Sequence, residues 1–275
     1  MSRKVVIAHG AATDVGQVRK VNEDSHVAEP PVFVVADGMG GHDGGDIASE
    51  MVIQEFAKLG GTHYASESGS QAMVEALQAA QDRIVAFALE QRSRGASDYQ
   101  SGTTCAAALI ADGGSSPLWI LLNVGDSRIY RYFDGTLSQL SRDHSLVQEL
   151  VDSGQITREQ AEHHPERNVV TRALGGMAPA VPDIFQVTLP VGARLMLCSD
   201  GVSGMISDAE IADILAAEDT DARDTAEKLV AAAVDAGGRD NATAIVVDVM
   251  GLTEENPYDS EQQRVSMEQK LGVLP

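Results

Sequence analysis

The chain has only two cysteines, Cys105 and Cys198, which excludes a disulfide scaffold and a cysteine-rich metal site. It has no CxxC, no HExxH and no histidine pair at helical spacing. The one adjacent pair, His163-His164, precedes Pro165 in a polar stretch. Aromatic residues make up 4% of the sequence, so the core must rest on Val, Leu, Ile, Ala and Met. Positive charge is scarce as well: 20 Lys and Arg stand against 41 Asp and Glu, a net charge of −21. Such a surface repels nucleic-acid phosphates and anionic membranes, so no nucleic-acid partner is expected. No run approaches the roughly 18 apolar residues of a membrane helix. Met1-Ser2-Arg3-Lys4 is followed by only four apolar residues, too few for a secretory signal core. The expectation is a soluble, cytoplasmic protein with no membrane insertion. The absence of a Gly-x-x-x-x-Gly-Lys loop and of His-Arg-Asp argues against a kinase.

What is present suffices for a large domain: 275 residues, 43% of them apolar. Strand-like runs fall at 4–8, 32–36, 103–110, 118–124, 128–133, 194–198 and 242–249. Met73, Leu77, Ala80, Ile84, Phe87 and Ala88 recur at three- and four-residue spacing and predict a long amphipathic helix. Segments 46–59 and 221–236 read as further helices, the second stopped by Gly237-Gly238. Ser207 with Glu210 has capping-box form ahead of Ile211, Ile214 and Leu215. Strands in groups and helices in pairs predict an α+β layering rather than regular βαβ alternation. Residues 144–168 read as a small helical insertion, one short helix closed by Gly154 and a second opened by Thr157-Arg158-Glu159-Gln160. The domain is expected over 1–250, with a polar, flexible tail over 251–275.

Four aspartates sit beside apolar runs. Val32 to Ala36 leads into Asp37, Trp119 to Gly125 into Asp126, and Leu195 to Ser199 into Asp200, while Asp240-Asn241 opens the run Ala242 to Val249. A carboxylate at the end of a buried strand is costly unless its charge is compensated. One such Asp is an ordinary turn residue, and Asp134-Gly135 reads as that. Four on separate strands predict one rim where carboxylates converge on cations. Oxygen-only ligands suit magnesium or manganese rather than zinc, and two such ions activate water against phosphorus. Both cysteines lie in apolar runs and read as buried thiols.

Six polar motifs follow in order: Thr13-Asp14-Val15-Gly16-Gln17-Val18-Arg19-Lys20-Val21-Asn22-Glu23-Asp24; Ala36-Asp37-Gly38-Met39-Gly40-Gly41-His42; Ser101-Gly102-Thr103-Thr104; Gly125-Asp126-Ser127-Arg128; Ser199-Asp200-Gly201; and Arg239-Asp240-Asn241. Over about residues 5–249 this closely resembles the bacterial form of the metal-dependent 2C-type serine/threonine protein phosphatases, the PPM family. The resemblance implies a four-layer α/β/β/α sandwich of two antiparallel sheets flanked by helix pairs, with the insertion as a flap. It implies that Asp37 bridges two ions, that the Gly38 carbonyl helps to bind one, and that Asp200 and Asp240 hold the other. Asp126, with Asp200, matches the position binding a third and weaker ion. Arg19 matches the arginine that grips the substrate phosphate, in keeping with the planar fork a guanidinium offers. Glu23 and Asp24 match acidic residues beside the metals. A water bridging the ions would attack phosphorus as hydroxide, with no covalent phospho-enzyme.

Several positions keep two readings. Asp126 is a third-metal ligand or a plain hairpin residue. Glu23 and Asp24 bind metal directly or through water. His42 is a leaving-group acid or a support for its glycine-rich loop; Met39 stands where some family members have a histidine. Asn241 is read as orienting Asp240. The expected activity is hydrolysis of phosphoserine and phosphothreonine in proteins, opposing a bacterial Ser/Thr kinase, by a monomer that uses Mn2+ or Mg2+. The competing readings are hydrolysis of a small phosphate ester, and an inactive binding module on the same fold.

Overall fold

The computed structural model describes residues 3–40, 44–114, 116–217 and 220–254. In chain order, strands β1 (Arg3–Asp14), β2 (Asp24–Glu29) and β3 (Val32–Met39) precede helices α1 (Gly45–Ala57) and α2 (Ser66–Ser93). Five strands follow: β4 (Gly102–Thr103), β5 (Cys105–Asp112), β6 (Pro117–Val124), β7 (Arg128–Phe133) and β8 (Thr136–Gln139). Next come α3 (Leu146–Asp152), α4 (Arg158–Glu162), β9 (Asp183–Thr188) and β10 (Arg194–Cys198). The described chain closes with α5 (Asp200–Ser203), α6 (Asp208–Leu215), α7 (Ala222–Asp235) and β11 (Ala242–Glu254).

One antiparallel sheet has the order β1-β11-β10-β7-β8; the other runs β2-β3-β5-β6-β9, with β4 pairing β3. Side-chain alternation sorts each central strand between two cores. Val32, Val34 and Ala36 of β3 join Val52, Phe56, Met73, Leu77 and Ile84 under α1 and α2. Phe33 and Val35 point the other way and meet Ile129, Leu195, Leu197, Ile245 and Val247 of the second sheet. Ala242, Ala244 and Val246 of β11 pack beneath α6 and α7 with Ile211, Leu229 and Ala233. Three apolar layers therefore separate four layers of structure, α/β/β/α. Strands covered on both faces become continuous apolar runs, which is why they stand out in the sequence. The inter-sheet layer holds an edge-to-face Phe33–Trp119 pair, centroids 5.9 Å apart.

Other strands differ from expectation. β2 opens with polar Asp24, Ser25 and His26 and lies at a sheet edge. β9, also an edge, alternates between half-buried and exposed residues. β8 has only four residues, joined to β7 by a hairpin through Asp134 (φ 50) and Gly135 (φ 72). β11 continues to Glu254, beyond the expected domain end at 250, because Gly251 to Glu254 pair with Arg3 to Val6 across a bulge. The rest of the expected tail lies outside the described residues. No described helix is long and apolar enough to cross a membrane. The insertion forms two short helices, neither of which buries a residue. Its ends meet: Ser145 bridges Val170, and the Leu146 N–H donates to Val169 O at 2.9 Å.

Candidate metal centre

Strand register gathers five aspartates at one end of the sandwich. β10 ends with Cys198 opposite Ala244, near the start of β11, so Asp200 and Asp240 open at the same edge. In the other sheet Asp24 faces Asp37 across β2–β3. Val124 pairs with Cys105, so the β6–β7 turn brings Asp126 to that end too. Asp37 is not at the strand end that the apolar run suggested. β3 runs on to Met39 because Gly38 and Met39 pair with Thr103 and Gly102. The carboxylate is thereby fixed on rigid backbone. Its own N–H donates to Thr104 Oγ1 at 2.9 Å, and its carbonyl accepts from Thr103 Oγ1 at 2.9 Å. Gly38 has a packing reason beyond the close approach of an ion: a Cβ there would lie 2.2 Å from Gly45 O and 2.5 Å from Glu23 O.

Burial and mutual repulsion act on the whole cluster. Loss of solvation pushes Asp24 up to about 7, against hydrogen bonds from Thr243 and Ser199. Desolvation also raises Asp126 to about 7, with the charge of Asp200 adding to it. Asp37 is held well above the usual carboxylate range by desolvation, then by Asp24, Asp200, Asp126 and Asp240. Asp200 is raised by desolvation and by Asp240. Such carboxylates demand a proton or a cation.

The positive counterweight is Arg19, whose Nη2 donates to Asp240 Oδ2 at 2.7 Å. Its side chain is 48% exposed, so the guanidinium still faces solvent above the cluster. Asn241 holds the loop that carries it: Nδ2 donates to Val15 O and Val21 O, and Oδ1 accepts from the Glu23 N–H at 2.8 Å. Asn241 therefore orients the Arg19–Glu23 loop with its side chain; only its backbone N–H reaches Asp240 Oδ1, at 2.9 Å. Glu23 is raised by desolvation, opposed by Arg19 and by the Gly45 N–H at the start of α1. His42 lies outside the described residues.

Among the described residues, no three acidic, imidazole or thiol groups already enclose a point that an ion would fill. The fit to divalent cations rests on donor chemistry instead. The cluster is oxygen-only and mutually repelling, and Asp24 Oδ1 is buried without a hydrogen-bond partner. Hard divalent ions suit such a set. A cavity of about 490 Å³, lined by Lys4, Ile7, Tyr64 and Ile110 among others, lies at the opposite end of the sheets and shares no residue with the cluster.

A family model described as protein phosphatase 2C matches residues 17–236. The chain belongs to the protein phosphatase 2C family. It is 36% identical over 249 residues to the serine/threonine protein phosphatase PstP of Mycobacterium tuberculosis, a match covering 90% of this chain and 46% of PstP. The chain thus spans about half the length of that relative. It is 34% identical to the serine/threonine phosphatase stp of Listeria innocua over 86% of this chain and 93% of that one. A crystal structure of the PstP catalytic domain in complex with two manganese ions superimposes with a TM-score of 0.79 at 34% identity, over 90% of this chain and all of that one. The fold is that of the 2C phosphatases.

Sequence reasoning missed the residues that support this family's carboxylates here. Ser199 Oγ and Thr243 Oγ1 both donate to Asp24 Oδ2 at 2.7 Å. Behind Asp126, Arg128 Nη2 donates to Asp143 Oδ2 at 2.7 Å and Arg128 Nη1 to Tyr130 Oη at 2.9 Å. His144, 2% exposed, contacts Gly125. Ser199 and Arg128 lie inside the polar motifs, which was their only local signal; Thr243, Tyr130, Asp143 and His144 lie outside them and gave none.

Proposed function

We propose that this protein hydrolyses phosphoserine and phosphothreonine in other proteins, with manganese or magnesium ions held by Asp37, the Gly38 carbonyl, Asp200 and Asp240. Glu23 and Asp24 stand beside them, and Asp126 with Asp200 would hold a further, weaker ion. The observation that carries this reading is the desolvated carboxylate cluster with one exposed guanidinium on its rim. The names and the manganese complex of the 2C relatives support it.

When bound, divalent ions supply the acidity that makes water a nucleophile near neutral pH. The chain's own residues do the rest. Arg19 presents its fork to phosphate oxygens, positioned by Asp240 and by the loop that Asn241 ties down. Thr103 and Thr104 fix the Asp37 backbone, so on loading that carboxylate needs to adjust only its side chain. The thiols offer no competing nucleophile: both are buried, and burial pushes Cys198 up to about 12. Acting as a monomer on phosphorylated proteins, the enzyme would reverse a Ser/Thr kinase. Excess chelator should abolish turnover of a phosphothreonine peptide, and manganese or magnesium should restore it. Calcium should not, since it prefers more and longer oxygen contacts. Full turnover in chelator would overturn the metal dependence. Turnover of an aryl phosphate with phosphopeptides left intact would overturn the protein substrate.

A further inference from the structure

We propose that His144 is the positioning residue for Asp126, acting through the Gly125 peptide and tying that hairpin to the base of the insertion. This rests on the phosphatase reading above. The Gly125 N–H donates to His144 Nδ1 at 3.1 Å, and the His144 N–H donates to Gly125 O at 2.9 Å. One residue therefore grips both polar groups of the residue before Asp126. Gly125 needs such a grip: its φ of 105° is open to few residues, and a Cβ would lie 2.5 Å from Thr104 Cγ2.

The contacts also fix the ring's proton. An amide N–H only donates, so Nδ1 carries no proton and the neutral imidazole holds it on Nε2. Nε2 then donates to Asp183 Oδ2 at 3.2 Å. Arg172 Nη1, 3.3 Å from Nε2, finds its acceptor in Asp183 Oδ1 at 3.2 Å. Burial favours the neutral ring, with Asp183 opposing and Arg172 and Arg142 assisting. On its other side His144 O accepts the Thr171 N–H at 2.8 Å, while Ser145 caps α3. Both ends of the insertion thus reach Asp126 through this one residue. A histidine that merely filled core space would need neither a fixed tautomer nor this pairing.

The test compares His144→Phe, which keeps the ring volume without an acceptor, with His144→Asn, whose amide oxygen can take the Gly125 N–H. His144→Phe should lower kcat on a phosphothreonine peptide roughly 10–100-fold, the usual cost of losing a partner that orients a metal ligand, with KM little changed. It should also lose the weakest manganese-binding event in titration calorimetry while keeping the tighter ones. His144→Asn should recover most of both. In the metal-free wild type, 15N NMR should show an unprotonated Nδ1 and a protonated Nε2, a readout that stands even if His144→Phe does not fold. Wild-type kcat and manganese isotherm in His144→Phe, no recovery in His144→Asn, or a proton on Nδ1 would each overturn the proposal. A wild type without manganese-dependent turnover would instead sink the phosphatase reading.

Discussion

On the Asp37 side of the cluster, the strand bearing the carboxylate has α1 and α2 packed on one face and a second sheet on the other. On the Asp126 side, the carboxylate sits in a hairpin next to an insertion whose helices bury nothing. The strands on both sides are held by apolar burial, Val124 and Ile129 flanking Asp126 included, but the insertion beside Asp126 is tied to its hairpin by a few hydrogen bonds through Gly125, His144 and Asp183. Burial over many residues is cooperative with the whole fold, whereas a handful of polar contacts opens locally. On the phosphatase reading proposed above, the rigid side would serve the chemistry common to all substrates and the looser insertion would adapt to different phosphoproteins.

The largest effect should come from the rigid side. Asp37→Asn should lower kcat by orders of magnitude. It should leave the chelator-treated protein at least as stable, since desolvation and the neighbouring aspartates push that carboxyl toward its neutral form. Near-normal turnover with manganese, or a collapsed fold, would remove Asp37 from the centre of the comparison. Next comes pH. A carboxyl whose folded pKa is raised binds more protons folded than unfolded, so its stabilising contribution is complete at low pH and lost as pH rises. With Asp24 and Asp126 at about 7 against 3.8 for an unperturbed Asp, the loss falls between about pH 4 and pH 7. In chelator, Tm should therefore drop from about pH 5 to pH 8, Asp126→Asn should flatten that drop, and manganese should oppose it. A chelated Tm that stays level or rises across this range would mean the cluster is solvated and uncrowded.

The same contrast explains what could be read from the chain. Strands covered on both faces, such as Val32–Met39 and Cys105–Asp112, announce themselves as apolar runs. α2 shows its spacing because Met73, Leu77, Ala80, Ile84 and Ala88 all face the core. Edge strands β2 and β9 were illegible because one face is wet and a sheet edge asks little of a sequence. Four of the cluster's five aspartates were legible because charge beside apolar runs is costly enough to need a reason; Asp24, in polar β2, came only with the family resemblance. Their supports were not, being pairings across the fold: Asn241 with Glu23 is 218 residues apart and Thr243 with Asp24 is 219. Nothing local distinguishes His144 from an ordinary residue ahead of a helix cap.

The smallest expected effect gives the sharpest test, because one device occurs in both settings. Thr157 and Gln160 form a capping box on α4, and Ser207 and Glu210 form one on α6. Gln160 N donates to Thr157 Oγ1 at 3.3 Å, and Glu210 N to Ser207 Oγ at the same 3.3 Å. Removing either cap hydroxyl costs its helix about 1 kcal/mol. The surroundings differ: α6 buries Ile211 and Leu215 in the core, and α4 buries no residue. Ser207→Ala should therefore lower the Tm of the whole protein by roughly 2–4 °C, the shift that about 1 kcal/mol produces in a chain of this size. Thr157→Ala should leave Tm almost unmoved, since α4 can fray without opening any apolar layer. Its cost should appear instead as faster amide exchange confined to the insertion and a few-fold change in turnover of a phosphoprotein, with an aryl phosphate unaffected. Equal Tm shifts in the two variants would show that the insertion melts with the core, and the division between a rigid side and an adaptable one would fail.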